Sequence, residues 1–265
     1  MKKRFVNRLA AFILFAMMGV NLFSQGFYVY TKDGQRQDYA SENVDSIVFY
    51  EKIMDDIEPE VPDVPDKSDN LISGHEYVDL GLPSGLKWAT CNVGASKPED
   101  YGGYYAWGET EEKSDYGWDT YKYYNGSPGK CQNIGSNISG TQYDVARIKW
   151  GGSWRMPTFD EILELFGNCT WKWTTYNGVN GQLVTGPNGN SIFLPATGYH
   201  GSMDFYDRGS GGYYWSANVN YEGSSSLSHS LGFNDGGGKW GTSSNRSDGF
   251  PVRPVTDELL SDSEK

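Results

Sequence analysis

The residue types that could do chemistry in this chain include a cluster of carboxylates beside a tryptophan. Glu109, Glu111 and Glu112 closely follow Trp107, and paired carboxylates near an aromatic ring are typical of glycosidase sites. Such a pair must lie across a cleft at a fixed separation, which proximity in sequence does not establish. Because neighbouring acidic residues in a loop are usually solvated, a cell-envelope carbohydrate-active enzyme is the alternative interpretation and not the main one.

The histidines and cysteines give no recognisable catalytic set. His229 alternates with serines and shares the apolar face of a strand with Leu227 and Leu231, which predicts a core histidine. His200 follows Tyr199 in a predicted loop, where catalysis would need a nucleophile or carboxylate partner. The three cysteines are an odd count, so at least one lacks a partner in the chain, and both buried thiols and one bridge among Cys91, Cys131 and Cys169 remain open.

We predict no catalytic residue, no cofactor and no metal site. A Ca²⁺ site needs several converging oxygen ligands, and the triplet Phe233-Asn234-Asp235 is better explained as a turn. Arg155 and Arg253 lie inside motifs of the fold and are predicted to be paired structural cations.

The net charge and the N-terminal residues limit where the protein can be located and which partners it can bind. The net charge of −12 repels phosphate backbones and argues against nucleic-acid binding. A basic start precedes an uncharged apolar run over residues 9–20, which is too short to span a bilayer and predicts a signal peptide over residues 1–24. An uncleaved anchor is the alternative. We therefore predict an exported protein, periplasmic, surface-bound or extracellular, with no transmembrane segment after signal removal.

Composition divides the rest of the chain into four parts. Residues 25–53 form a small β unit in which Phe27–Tyr30 and Val44–Tyr50 are strand-like. Residues 54–70 alternate acidic residues with prolines, which predicts an extended linker. Residues 71–256 form one domain rich in Gly, Trp and Tyr, and residues 257–265 form an acidic tail that we predict to be disordered.

The domain combines two predicted helices with many short strands. Thr158 and Glu161 have capping-box spacing and open a helix over residues 158–167, with an apolar face of Ile162, Leu163, Leu165 and Phe166. A shorter helix is predicted over residues 143–149, with Val145 and Ile148 facing inwards. A β-hairpin is predicted from residues 77–80 and 86–90, followed by strands over residues 171–175, 183–185, 191–195, 213–217, 227–233 and 251–255. The pattern predicts an α+β domain with short antiparallel strands, preceded by the small β unit.

Six ordered motifs closely resemble the Fibrobacter succinogenes major paralogous domain family over residues 75–256. They occupy residues 76–94, 103–110, 150–161, 184–196, 214–216 and 252–255. The resemblance implies a secreted protein of a Gram-negative bacterium with a C-type-lectin-like fold, related to formylglycine-generating enzymes, and it implies no defined common activity. Those enzymes use a C-terminal cysteine pair, which has no counterpart here because no cysteine follows Cys169.

The loops after Ala196 and Ser216 are the predicted ligand-contact face. Asn, Ser, Tyr, Asp and Gly dominate residues 218–248, a mixture typical of adaptable contact loops. The predicted contact residues are Tyr199, His200, Tyr206, Asn218, Asn220, Tyr221, Asn234, Asp235, Trp240 and Asn245. The predicted ligand is a glycan or a protein at the cell surface. There are two alternatives for these loops. They could be ordinary polar loops, or loops diversified by adenine-directed mutagenesis as in some members of the fold. For the whole protein, the alternative is a passive structural component of a surface assembly.

Overall fold

The computed structural model describes two compact units of the chain. The described residues are 27–30, 36–39, 70–127, 130–220, 226–236 and 239–257. The units comprise residues 1–63 and 64–265. In the first, strand β1 (Phe27–Tyr30) pairs antiparallel with β2 (Arg36–Tyr39), so the predicted first strand is confirmed. The predicted signal peptide, the run Val44–Tyr50, the linker up to residue 69 and the tail beyond Asp257 lie outside the described residues.

The described part of the second unit is mostly β, with two α-helices. The helices are α1 (Val145–Trp150) and α2 (Phe159–Asn168). The strands are β3 (Leu71–Ile72), β4 (His75–Asp79), β5 (Lys87–Ala89), β6 (Thr170–Tyr176), β7 (Val179–Thr185), β8 (Ser191–Pro195), β9 (Tyr199–Gly201), β10 (Asp204–Tyr206), β11 (Gly211–Val219), β12 (Leu227–Asn234), β13 (Lys239–Asn245) and β14 (Val255–Thr256). This composition agrees with the predicted α+β class. No described helix is long and apolar enough to cross a membrane.

The strands form several antiparallel sheets. The orders are β14-β5-β4-β3, β6-β7-β8 and β11-β12-β13, and β9 pairs with β10 alone. The predicted hairpin is confirmed, because Val78 lies opposite Trp88 where β4 pairs with β5. The last strand, β14, pairs with β5 and brings the end of the domain back to its start.

Residues 251–255 were predicted as one strand, but only Val255–Thr256 is a strand. Pro251 and Pro254 have no N–H to donate to a ladder, which prevents regular pairing. Their carbonyls are nevertheless used. Pro251 accepts a hydrogen bond from Trp215 N at 3.1 Å, and Pro254 accepts one from Ala89 N at 2.9 Å. The segment is buried and holds strands together without being a regular strand itself.

The predicted capping box starts α2. Thr158 Oγ1 accepts from Glu161 N at 3.3 Å, and Glu161 Oε2 accepts from Thr158 N at 2.7 Å. Arg155 completes the group, since its guanidinium contacts Glu161 at 2.6 Å and Asp257 at 2.7 Å. The prediction that Arg155 is a paired structural cation is therefore confirmed.

The inward face of α2 is narrower than predicted. Ile162 and Leu165 are buried, whereas Leu163 is 45% exposed. The prediction for Leu163 was wrong because a helix turns by about 100° per residue, which places Leu163 to one side of the face that Ile162 and Leu165 share. Phe166 is half-buried against the same core and completes that stripe.

Helix α1 is set by its cap more than by its apolar residues. Asp144 Oδ1 accepts from Ala146 N and Arg147 N, and its Oδ2 accepts from Gly140 N and Met156 N. The carboxylate thus joins the helix start to two other segments. Val145 is buried as predicted, but Ile148 is 51% exposed, so that part of the prediction was wrong. With only six residues, the helix buries just its first turn.

Four tryptophans of the domain are fully buried. Trp88, Trp107, Trp154 and Trp215 are at most 2% exposed. Trp171 and Trp173 are partly buried and pack at the edge of one core cluster. All three cysteines lie in the described part and are thiols, none of them in a disulfide.

The position of α2 in the core gives a prediction with a matched control. Leu165→Ala should lower the free energy of unfolding by about 2–5 kcal/mol, because it leaves a cavity at a fully buried site. Leu163→Ala removes the same side chain two residues away, at an exposed position. It should change the free energy of unfolding by less than about 1 kcal/mol. Urea unfolding followed by circular dichroism measures both. Equal losses in the two variants would contradict the described orientation of α2.

Candidate functional site

The hairpin formed by β9 and β10 exposes large apolar side chains. Every residue from 202 to 208 is exposed. Met203 is 74% exposed, Phe205 44% and Tyr206 45%. In the register of the pair, Phe205 lies opposite His200 and Tyr206 lies opposite Tyr199. The hairpin therefore presents a small apolar surface at a turn where seven consecutive residues reach solvent.

Hydrogen bonds fix the backbone of this hairpin on both sides. His200 N donates to Gly249 O at 2.9 Å, and Gly249 N donates back to His200 O at 2.7 Å. At the turn, Tyr116 N donates to Ser202 O at 2.7 Å. The exposed side chains are consequently carried by an anchored backbone.

Phe205 is held between a cation and aromatic rings. The Arg208 guanidinium carbon lies 3.3 Å from the centre of the Phe205 ring, within the range of a cation–π contact. Arg208 Nε also donates to Tyr104 Oη at 3.2 Å. The Tyr104 ring lies 5.1 Å from Phe205 and the His200 ring 4.2 Å from it. Because these contacts restrict the ring, little conformational freedom remains to be lost on binding.

His200 was predicted to contact the ligand, but it supports the hairpin from beneath. The residue is only 7% exposed, and its ring lies 4.6 Å from Tyr116. Burial lowers its pKa, which favours the neutral imidazole. Its Nδ1 has no hydrogen-bond partner among the described residues.

Tyr199 and Tyr206, two of the predicted contact residues, form one aromatic stack. Their ring centres lie 5.1 Å apart with planes 22° apart. Tyr213 packs edge-on against Tyr199 at 5.1 Å, and its hydroxyl donates to Asp207 Oδ2 at 2.8 Å. Asp248 lies nearby and its charge raises the pKa of Tyr199, after the larger effect of burial. The stack is thus an aromatic surface with acidic residues at its margin.

Most of the other predicted contact residues lie away from this hairpin. Asn218 is structural, because its Oδ1 accepts from Phe159 N at 2.8 Å at the start of α2. Asn220 N donates to Leu227 O at 3.1 Å, and Asp235 N donates to Ser210 O at 3.0 Å. Asn234 ends β12, and Asn245 ends β13 as an exposed residue. Tyr221 lies outside the described residues, and only the backbone of Trp240 is described.

Residues 218–248 were predicted as polar contact loops around one strand over residues 227–233. β12 confirms that strand, but the segment also contains β13, which was not predicted. β12 pairs along its length with β13, with Leu231 opposite Gly241. The sequence of β13 is poor in β-branched and aromatic residues, so its pairing comes from the neighbouring strand and not from its own propensity. His229, predicted as a core residue, is half-buried and stacks on Phe159 at 3.9 Å.

The carboxylates considered for catalysis lie at another place on the domain. Glu109 and Glu111 line one cleft, whose lining contains neither His200 nor His229. Glu109 forms an ion pair with Lys113 at 3.0 Å, and the largely exposed Glu111 forms one with Lys149 at 3.1 Å. Nor do the described residues contain a group of three or more His, Cys, Asp or Glu side chains able to hold a metal ion.

Sequence reasoning missed Met203 and Phe205 as site residues. The signal was available, because Gly201-Ser202 separates Tyr199-His200 from a run of alternating apolar residues. A glycine-containing turn between two such runs is a hairpin signal. What the sequence could not give is the exposure of these side chains, which depends on the surrounding sheets.

The buried carboxyl next to the aromatic stack predicts a pH dependence of stability. Burial raises the pKa of Asp248 from 3.8 to about 6. The folded protein therefore binds the proton of Asp248 more tightly than the unfolded chain does. The contribution of this protonated carboxyl to stability is present below about pH 4 and is lost as the pH rises through about 6. Asp248→Asn should raise the free energy of unfolding at pH 7 by about 1–3 kcal/mol and leave it nearly unchanged at pH 4.

Urea unfolding across this pH range measures the effect. The control is Asp235→Asn, at an exposed carboxylate, which should follow the wild type at every pH. A constant difference in unfolding free energy between Asp248→Asn and the wild type from pH 4 to 7 would contradict the buried carboxyl.

Comparison with known proteins finds no relative of this chain. No family model, curated protein or solved structure matches the chain. The resemblance to the Fibrobacter succinogenes major paralogous domain family therefore stays a prediction, and the functional interpretation rests on the contacts described above.

Proposed function

We propose that this chain is an exported, non-enzymatic binding protein that contacts a protein partner through the β9–β10 hairpin. One observation carries the proposal: three large apolar side chains, Met203, Phe205 and Tyr206, are exposed by 44–74% on a hairpin whose β9 strand and turn are hydrogen-bonded to Gly249 and Tyr116. Soluble proteins seldom expose neighbouring large apolar groups unless the patch serves an interaction. Aromatic residues held rigidly are also the groups that contribute most to binding energy.

The chemistry of the hairpin favours a protein over a glycan. A sugar ring would use the flat face of Tyr206, but it would gain little from the flexible thioether chain of Met203, which suits an apolar protein pocket. Asp204 and Asp207 are exposed beside these rings, and the whole chain carries a net charge of −12. Charge complementarity then calls for a partner with an apolar pocket and a basic rim.

The scaffold and the location belong to the same proposal. We infer a C-type-lectin-like domain of the Fibrobacter succinogenes major paralogous domain family, supported by the six ordered motifs and by the capping box at Thr158. Export is supported by the basic start and the short apolar run of residues 9–20. A protein carried on the surface of a Gram-negative cell, or released from it, would present the hairpin to partners outside the cell.

Removing the two exposed rings tests the proposal. Phe205→Ala combined with Tyr206→Ala should weaken binding of the full chain on a protein array by about 30-fold or more, since the loss of a single aromatic hot spot costs about 2 kcal/mol or more. The matched control is Tyr176→Ala, another tyrosine that is 45% exposed but lies at the end of β6. It should leave the binding unchanged.

Thermal unfolding of the same variants separates binding from folding. If the double variant keeps its melting temperature and binds within twofold of the wild type, the hairpin is not the contact surface. The same variants would be applied to a glycan array in parallel. If the double variant loses binding only to glycans and to no protein, the proposed class of partner is wrong.

A further inference from the structure

A cleft lies on the domain, and none of the residues that line it belongs to the hairpin. Its volume is about 420 Å³, which is within the range of small-molecule sites. Three chain segments contribute its lining residues, which are Gly108, Glu109, Thr110, Glu111, Lys122, Tyr123, Gln142 and Tyr143. Polar groups dominate this lining, which distinguishes it from the mostly apolar pockets that hold apolar ligands.

Trp107, next to the lining residue Gly108, is buried and held in place. The indole Nε1 donates to Ser216 O at 2.9 Å, and the guanidinium carbon of Arg246 lies 4.4 Å from the ring centre. Gly108 follows with a φ of +83°, and a Cβ at this position would come within 2.5 Å of Ile134 Cδ1. The positive φ favours glycine at this position, so the sequence sets the backbone at this edge of the cleft.

Two tyrosines form the aromatic part of the wall. The rings of Tyr123 and Tyr143 lie 5.6 Å apart and are perpendicular. Tyr123 is buried, whereas Tyr143 is half-buried and keeps part of its ring in contact with the cleft. An aromatic ring bordered by amide, hydroxyl and charged groups offers an apolar face for C–H groups together with hydrogen-bond partners for hydroxyls.

Every charge in the lining already has a partner. Glu109 pairs with Lys113 and also accepts from Lys122 N at 2.8 Å, and Glu111 pairs with Lys149. The Lys122 ammonium lies 5.5 Å from the centre of the Tyr123 ring. An ionic ligand would have to compete with these pairs, whereas neutral hydroxyls can donate to the carboxylates and accept from the ammonium groups.

We propose that this cleft binds a neutral saccharide of one or two rings and does not cleave it. The sugar's C–H face packs on Tyr143, and its hydroxyls bond to Lys122, Gln142 and the paired carboxylates. Glycoside cleavage needs a carboxylic acid that donates a proton. Glu109 already accepts hydrogen bonds from Lys113 Nζ and Lys122 N, so we assign it a binding role. This site does not depend on the hairpin proposed above.

Saturation-transfer NMR on the full chain tests the proposal. The probes are cellobiose, maltose, lactose and N,N′-diacetylchitobiose at millimolar concentration, with galacturonate and glucosamine as the charged comparisons. We expect transfer to at least one neutral disaccharide and weaker transfer to both charged sugars. Lys122→Ala with Gln142→Ala should weaken that binding by about tenfold, through the loss of two hydrogen-bonding side chains.

The matched control is Lys130→Ala with Gln132→Ala, the same residue types at exposed positions outside the lining. Binding should be unchanged in this control and in the hairpin variant Phe205→Ala with Tyr206→Ala. No transfer to any neutral sugar, an equal loss in the control, or stronger transfer to a charged sugar would overturn the cleft proposal. Release of monosaccharide, followed by chromatography, would instead overturn the non-enzymatic function and leave binding in the cleft intact.

Discussion

The fully buried guanidinium of Arg253 is the interaction on which the arrangement of the domain depends. Its Nε donates to Asn92 Oδ1 at 2.8 Å, and its terminal nitrogens donate to the carbonyls of Ala89, Thr90 and Phe193 at 2.6–3.0 Å. The sequence predicted a paired cation, yet these partners are neutral. Burying a charge is costly unless its donors are satisfied, so the three segments must meet at this one place for the domain to fold.

Two further buried polar groups extend the same constraint to the cleft. Asp144 gathers four backbone N–H groups around the start of α1 and so places the neighbouring Tyr143 at the cleft. Arg246 is buried over Trp107, and its Nε donates to Tyr121 Oη at 3.0 Å. Because such groups have few alternative arrangements, they hold the backbone firmly. The exposed rings of the hairpin contribute little to this frame and are available for contact.

The sequence predicted what local signals determine. The capping box and the spacing of Ile162 and Leu165 determine α2, and alternation gives β12. β13 was missed because Gly, Ser and Asn have low strand propensity and pair only when β12 offers its edge. The ion pair between Glu111 and Lys149 joins residues 38 positions apart, and no local pattern predicts it. The exposure of Phe205 could not be predicted from the sequence either, because it depends on how distant segments pack around the hairpin.

Mapping the contact surface by backbone amide NMR tests the central claim most directly. The full chain would be titrated with the protein that binds most strongly on the array, and the amide shifts of every assigned residue would be followed. The account predicts that the largest shifts fall in residues 199–208, with small shifts around Ala89, Thr90 and Phe193, whose carbonyls accept from Arg253. Shifts centred on β12 and β13, with none in the hairpin, would contradict it.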